Sequence, residues 1–81
     1  MAGSSALTPV DHRTLIKIAE HLGFKHRSTT GSHAHYVKAG CLRPLTIPTY
    51  REIHDEKIVR SFMKVAGLNR KQFLELKAAH E

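Results

Sequence analysis

Several things are scarce in this chain, and each shortage narrows what it can be. Cys41 is the single cysteine, so no internal disulfide can form, and a reducing, cytoplasmic setting is predicted. No stretch approaches the roughly 20 consecutive apolar residues of a membrane span, and no signal-like apolar segment is present, so no membrane association is expected. Internal repeats are absent, and 81 residues leave room for one small domain rather than a multidomain enzyme. Acidic residues are also few, with seven Asp and Glu against 13 Lys and Arg and a formal charge of +6. An anionic partner is therefore the first to consider. The 41% hydrophobic content argues for a folded domain and against a disordered basic tail, which would be too polar to build a core.

The shortage of acid is local. Residues 12–51 contain Arg13, Lys17, Lys25, Arg27, Lys38, Arg43 and Arg51 against one acid, Glu20, and the remainder of the chain nets to zero. Between Phe24 and Arg51 there are five basic residues, three histidines and no carboxylate. Surfaces that serve only solubility mix both signs, so this segment is expected to present an unneutralised positive surface.

The apolar pattern divides the chain into helices and strands. Met1 to Leu7 is small and polar and is expected to be a disordered leader, leaving residues 8–81 as the domain. Thr8-Pro9-Val10-Asp11 offers a capping hydroxyl, a proline at the first helical position and an acid at the third. Leu15, Ile18, Ala19 and Leu22 then recur at helical spacing, and Gly23 is placed to end that helix. From Phe24 to Pro48 the chain turns to short segments rich in Thr, His, Tyr, Val and Ile. Three antiparallel strands are expected, at Phe24 to Thr29, Ser32 to Lys38 and Leu45 to Ile47. Alternation puts Ala34 and Tyr36 on one face and His33, His35 and Val37 on the other.

A second helix is marked by Val59, Phe62, Met63 and Ala66, widened by Ile58, with Asp55 as cap and Gly67-Leu68 as stop. Such a stripe is core. Asn69 and Gln72 form a capping-box pattern for a short terminal helix that returns Phe73 and Leu76 to the core. The fold class is α+β, with three strands carrying helices on one face.

Within the basic segment, Gly31-Ser32-His33 places a histidine where a tight hairpin feeds the second strand. An imidazole titrates near neutrality and can move a proton between oxygens, typically worth about 100 to 10,000-fold in rate. RNA needs little more, because its 2′-hydroxyl is an internal nucleophile beside the phosphate. Lys25, Arg27, Lys38 and Arg43 are the candidate phosphate contacts. A lone strand histidine is otherwise a surface or hydrogen-bonded structural residue. His33-Ala34-His35 also has a zinc-compatible spacing, but no CxxC or HExxH accompanies it and the positive field opposes a cation, so neither metal nor cofactor is expected. His35 is assigned instead to contacts with RNA or a protein partner. His12, His21, His26, His54 and His80 have no partner spacing and are expected at the surface.

Four blocks follow one another along the chain: LIKIAEHLGF (Leu15 to Phe24), GSHAHY (Gly31 to Tyr36), LTIP (Leu45 to Pro48) and IVRSFMKVAGL (Ile58 to Leu68). In this order they resemble the HicA-like mRNA interferase toxins of type II toxin-antitoxin pairs, over about residues 11–76. The resemblance implies a double-stranded-RNA-binding-domain-like α-β-β-β-α fold, in agreement with the periodicity. It further implies that His33 is the catalytic histidine of a ribosome-independent endoribonuclease, that Gly31 and Ser32 set its turn, and that Tyr36 packs under the strand. The implied partners are mRNA and a HicB-type antitoxin that covers the active face. Many relatives have a basic or histidine residue shortly after the third-strand proline, where this chain reads Pro48-Thr49-Tyr50-Arg51. Tyr50 is a candidate for stacking on a base and Arg51 for contacting phosphate. The expected RNA contacts beside His33 are Lys25, Arg27, Ser32, His35, Lys38, Arg43 and Arg51, and the rival reading is a non-catalytic RNA-binding module that uses the same basic sheet.

Overall fold

The first helix owes its start to Asp11, whose carboxylate accepts a hydrogen bond from the Arg13 backbone N–H at 2.9 Å. Helix α1 runs His12–His21 in the computed structural model, which describes residues 6–81. The sequence pattern places this start at Thr8, three residues too early. The reason is tertiary: Val10 is held extended by an antiparallel bridge to Ile53, with N–H to carbonyl distances of 3.1 and 2.7 Å. Residues paired in this way cannot begin a helix. The first five residues of the expected leader lie outside the described residues, but Leu7 does not belong to a leader, since it is 1% exposed within the core.

Thr14, Leu15, Ile18 and Ala19 form the buried stripe of α1. Gly23, at a φ of 96°, then reverses the chain so that the Phe24 N–H reaches the Ala19 carbonyl at 2.9 Å. Three strands follow, β1 (Lys25–Thr30), β2 (His33–Val37) and β3 (Leu45–Pro48), in one antiparallel sheet of order β1-β2-β3. Each lies within two residues of its expected bounds. The β1-β2 hairpin turns at Gly31, whose φ of 59° is the left-handed conformation that glycine adopts without strain. A register shift between His26 and Ser28 makes Arg27 the extra residue of a bulge.

The register explains the two faces of the sheet. Ala34 pairs with Ile47 and Tyr36 with Leu45, and all four are buried. His33 pairs with Pro48 and His35 with Thr46, forming the opposite face together with Lys25, Ser28 and Thr30 of β1.

Helix α2 (Glu56–Ala66) is capped by Asp55, which accepts from the Lys57 N–H at 2.9 Å, and is closed by Gly67 in the left-handed region with the Leu68 N–H returning to Met63. Helix α3 (Arg70–His80) begins with the reciprocal Asn69–Gln72 capping box. At 11 residues it equals α2 in length, so the expected short tail is a full helix. Phe73 is fully buried and meets Phe62 edge to face, with ring centroids 6.2 Å apart. Removing one such side chain from water contributes about 1.5–3 kcal/mol, which is why this helix holds its place despite its largely polar surface. Helices α1 and α2 pack against β3, and α3 packs against α1. No helix among the described residues is long and apolar enough to cross a membrane.

Candidate nucleic-acid interface and active site

His33 is the first residue of β2 and is exposed. It pairs with Thr30 of β1 on one side and Pro48 of β3 on the other. The preceding Ser32 carbonyl accepts hydrogen bonds from the Thr49 backbone N–H at 2.8 Å and the Thr49 hydroxyl at 3.2 Å, tying the hairpin turn to the chain that leaves β3. The imidazole lines a cleft of about 280 Å³ whose sheet wall is His33, Thr46, Pro48 and Tyr50, and whose helix wall is Lys57, Ile58 and Ser61 of α2. His35, half-buried, shares a 3.2 Å hydrogen bond with the Thr46 hydroxyl. It therefore orients a wall residue of the His33 cleft. Among the described residues no group of three or more His, Cys, Asp or Glu is disposed to hold a metal ion.

Tyr50 is 47% exposed, yet its main chain is anchored. Its carbonyl accepts from His12 twice, from the ring Nδ1 at 2.8 Å and from the backbone N–H at 3.3 Å. A half-exposed ring on a tethered backbone is a surface on which a planar base can stack. Lys57 and Ser61, missed in the sequence, belong to this site. Their i, i+4 spacing marks them as neighbours on α2, but nothing local says which strand that flank of the helix meets.

The other expected contacts spread over the surface. Lys25 and Arg27 are exposed on β1, with Lys25 on the His33 side of the sheet opposite Val37. Lys38 extends past Gly23, and its ammonium sits 5.6 Å from the centroid of the Phe24 ring, a cation–π contact. Arg43 is exposed in the β2-β3 connection, where its carbonyl accepts from the Cys41 thiol at 3.4 Å. Arg51 lines a separate cleft of about 830 Å³ with Arg13, Lys17, Asp11, Glu52 and Glu81. The fold thus brings His33 and Tyr50 to one cleft, with His35 bonded to its wall, and leaves Lys25, Arg27, Lys38, Arg43 and Arg51 outside it.

Three groups have displaced titrations, and in one of them hydrogen bonds to Asp11 push the Arg13 guanidinium above its ordinary value. Hydrogen bonds from Arg13 hold the Asp11 carboxyl down at about 2. Burial, and secondarily the charge of Glu20, pushes the Tyr36 phenol above its ordinary value, as expected for a ring packed beneath β2. Several histidines without partner spacing in the sequence acquire neighbours in the fold. His26 bonds the Thr29 hydroxyl at 2.7 Å and meets Tyr36 edge on, His21 faces His80 at 5.4 Å, and His54 lies 3.3 Å from Glu52.

These features define a small basic α+β domain of order α-β-β-β-α-α, with a histidine at the head of its central strand beside a cleft. The family model described as HicA toxin of bacterial toxin-antitoxin matches residues 12–68. The chain belongs to this family of ribonuclease-type toxins and is the toxin of a toxin-antitoxin system, with a cognate antitoxin as its partner. The matched span runs from the start of α1 to the Gly67-Leu68 stop, includes every residue of the His33 cleft and ends before α3. No curated protein matched the sequence closely enough to count as a relative.

Proposed function

We propose that this toxin is a metal-independent endoribonuclease that cleaves mRNA in the cytoplasm with His33 as general acid or base. The observation that carries the reading is the exposed histidine, held between two strands and tied at Ser32 to Thr49, beside a cleft that also holds a lysine. In such a site the imidazole takes the proton of the ribose 2′-hydroxyl as its oxygen attacks the adjacent phosphorus. The P–O5′ bond breaks, O5′ gains a proton, and the products carry a 2′,3′-cyclic phosphate and a 5′-hydroxyl. No external nucleophile is required, so the chemistry proceeds without a metal-activated water. Lys25, Arg27 and the other cations of the sheet segment draw the phosphate backbone toward this face. A HicB-type antitoxin that covers the His33 face would block access to RNA, which accounts for neutralisation by occlusion.

The test is incubation of the purified toxin, free of antitoxin and with EDTA present, with a long mRNA, beside a His33→Ala variant of matched circular dichroism. The expected result is cleavage by the first and a loss of at least about 100-fold in the second. Intact RNA in both samples, with salt-sensitive binding retained, would discard the enzyme reading in favour of a non-catalytic RNA-binding module.

A further inference from the structure

We infer that Lys57 of α2 is the phosphate-neutralising group of the His33 cleft, the cation that binds the scissile phosphate while His33 handles the proton. This assignment rests on the ribonuclease reading and adds to it a residue outside the basic segment of the sequence. Three observations support it. Lys57 lines the helix wall of the cleft whose sheet wall carries His33, so both side chains border the space a phosphate would occupy. The lysine is also uncommitted, since no ion pair involves it among the described residues. Its two acidic neighbours are engaged elsewhere: Glu56 bonds the Arg60 guanidinium at 2.7 and 2.9 Å, and Asp55 caps the helix by accepting the Lys57 backbone N–H.

The walls of the cleft contain no carboxylate, so the ammonium field is not cancelled where the phosphate would sit. Arg51, the cation nearest in sequence to the end of β3, lines the other cleft and cannot take this role from there. The remaining wall supports the same occupant. Pro48, Tyr50 and Ile58 provide apolar surface for a base, and a volume of about 280 Å³ lies at the small end of ligand sites, suited to one unstacked nucleotide and too small for a duplex. Charge on the nonbridging phosphate oxygens grows as the 2′-oxygen attacks, so a fixed ammonium there stabilises the transition state more than the ground state.

The experiment compares Lys57→Met, Lys57→Arg and Lys64→Met. Lys64 is an exposed lysine on the same helix but outside the cleft, so its removal controls for net charge. Cleavage of a single-stranded mRNA fragment is followed alongside binding of a 2′-O-methyl oligonucleotide of the same sequence, which lacks the nucleophile. Lys57→Met is expected to lose about tenfold to a hundredfold in kcat/KM and to flatten the salt dependence of binding by about 0.7, the increment for one single-strand phosphate. Lys57→Arg should restore most of the rate, and Lys64→Met should stay within about twofold of the parent rate, since one distant exposed charge is largely screened. An active parent with an equally active Lys57→Met, or equal losses at Lys57 and Lys64, overturns the assignment and leaves the ribonuclease reading standing. A parent that cleaves no RNA overturns both.

Discussion

The larger of the two clefts, about 830 Å³, is rich in cations, with Arg13, Lys17 and Arg51 in its walls, but Asp11, Glu52 and Glu81 stand among them. The smaller, about 280 Å³, holds Lys57 and His33 with no carboxylate at all. Arg13 in the larger cleft is bound to Asp11 at 2.8 Å, so its positive charge stabilises a helix start and is not available to a ligand. What separates the clefts is charge pairing, since an anion responds to the uncompensated field and not to the number of cations or the volume of the depression.

This contrast can be broken or sharpened by substitution. The largest effect is expected at His33, where replacement by alanine should abolish measurable turnover while the fold survives, because the side chain is exposed. Next comes Tyr50→Ala, which removes a stacking surface worth about 1–3 kcal/mol per base. Binding of a single-stranded oligonucleotide should weaken about tenfold, and an unchanged affinity would show that the ring is not a platform.

The larger cleft should answer to acid instead of to RNA. Asp11 titrates at about 2 where its ordinary value is 3.8, so it contributes stability that is fully present above 3.8 and is lost as pH falls toward 2. Asp11→Asn keeps a capping side chain but should lack that acid-dependent increment in thermal melts between those pH values. An Asn variant whose melting temperature tracks the parent through this range would disprove the linkage. Smallest of all is Arg51→Gln, expected to leave cleavage within about twofold, since its charge lies in the larger cleft among Asp11, Glu52 and Glu81, which offset it. A loss comparable to that of Lys57→Met would show that the larger cleft also engages the substrate.

Much of this architecture was legible from the chain. Asp55 and the Asn69–Gln72 pair are local caps whose partners lie two or three residues away, so their geometry is encoded where it is read. The alternation of Ala34 and Tyr36 with His33 and His35 follows from the period of a strand, and it placed His33 on the exposed face. The sequence pattern starts α1 too early because Thr8-Pro9 is a locally favourable helix start, while the competing interaction, the bridge from Val10 to Ile53, spans more than half the chain. Arg51 is a candidate phosphate contact because it follows β3 closely, and its position relative to His33 cannot be read from that closeness. The chain after Pro48, held by Ser32 on one side and by His12 on the other, points Tyr50 into one cleft and Arg51 into another.

By itself the sequence determined the helices, the strands, the local concentration of positive charge and the histidine at the head of β2. Each depends on periodicity, capping or composition, which act over a few residues. Only the tertiary structure decided that Lys57 and Ser61 face His33, that Leu7 belongs to the core and that Arg51 does not share the cleft. Those relations depend on how α2 packs against β3, and packing between segments far apart in the chain is set by the combined shape of the buried side chains rather than by any spacing along it.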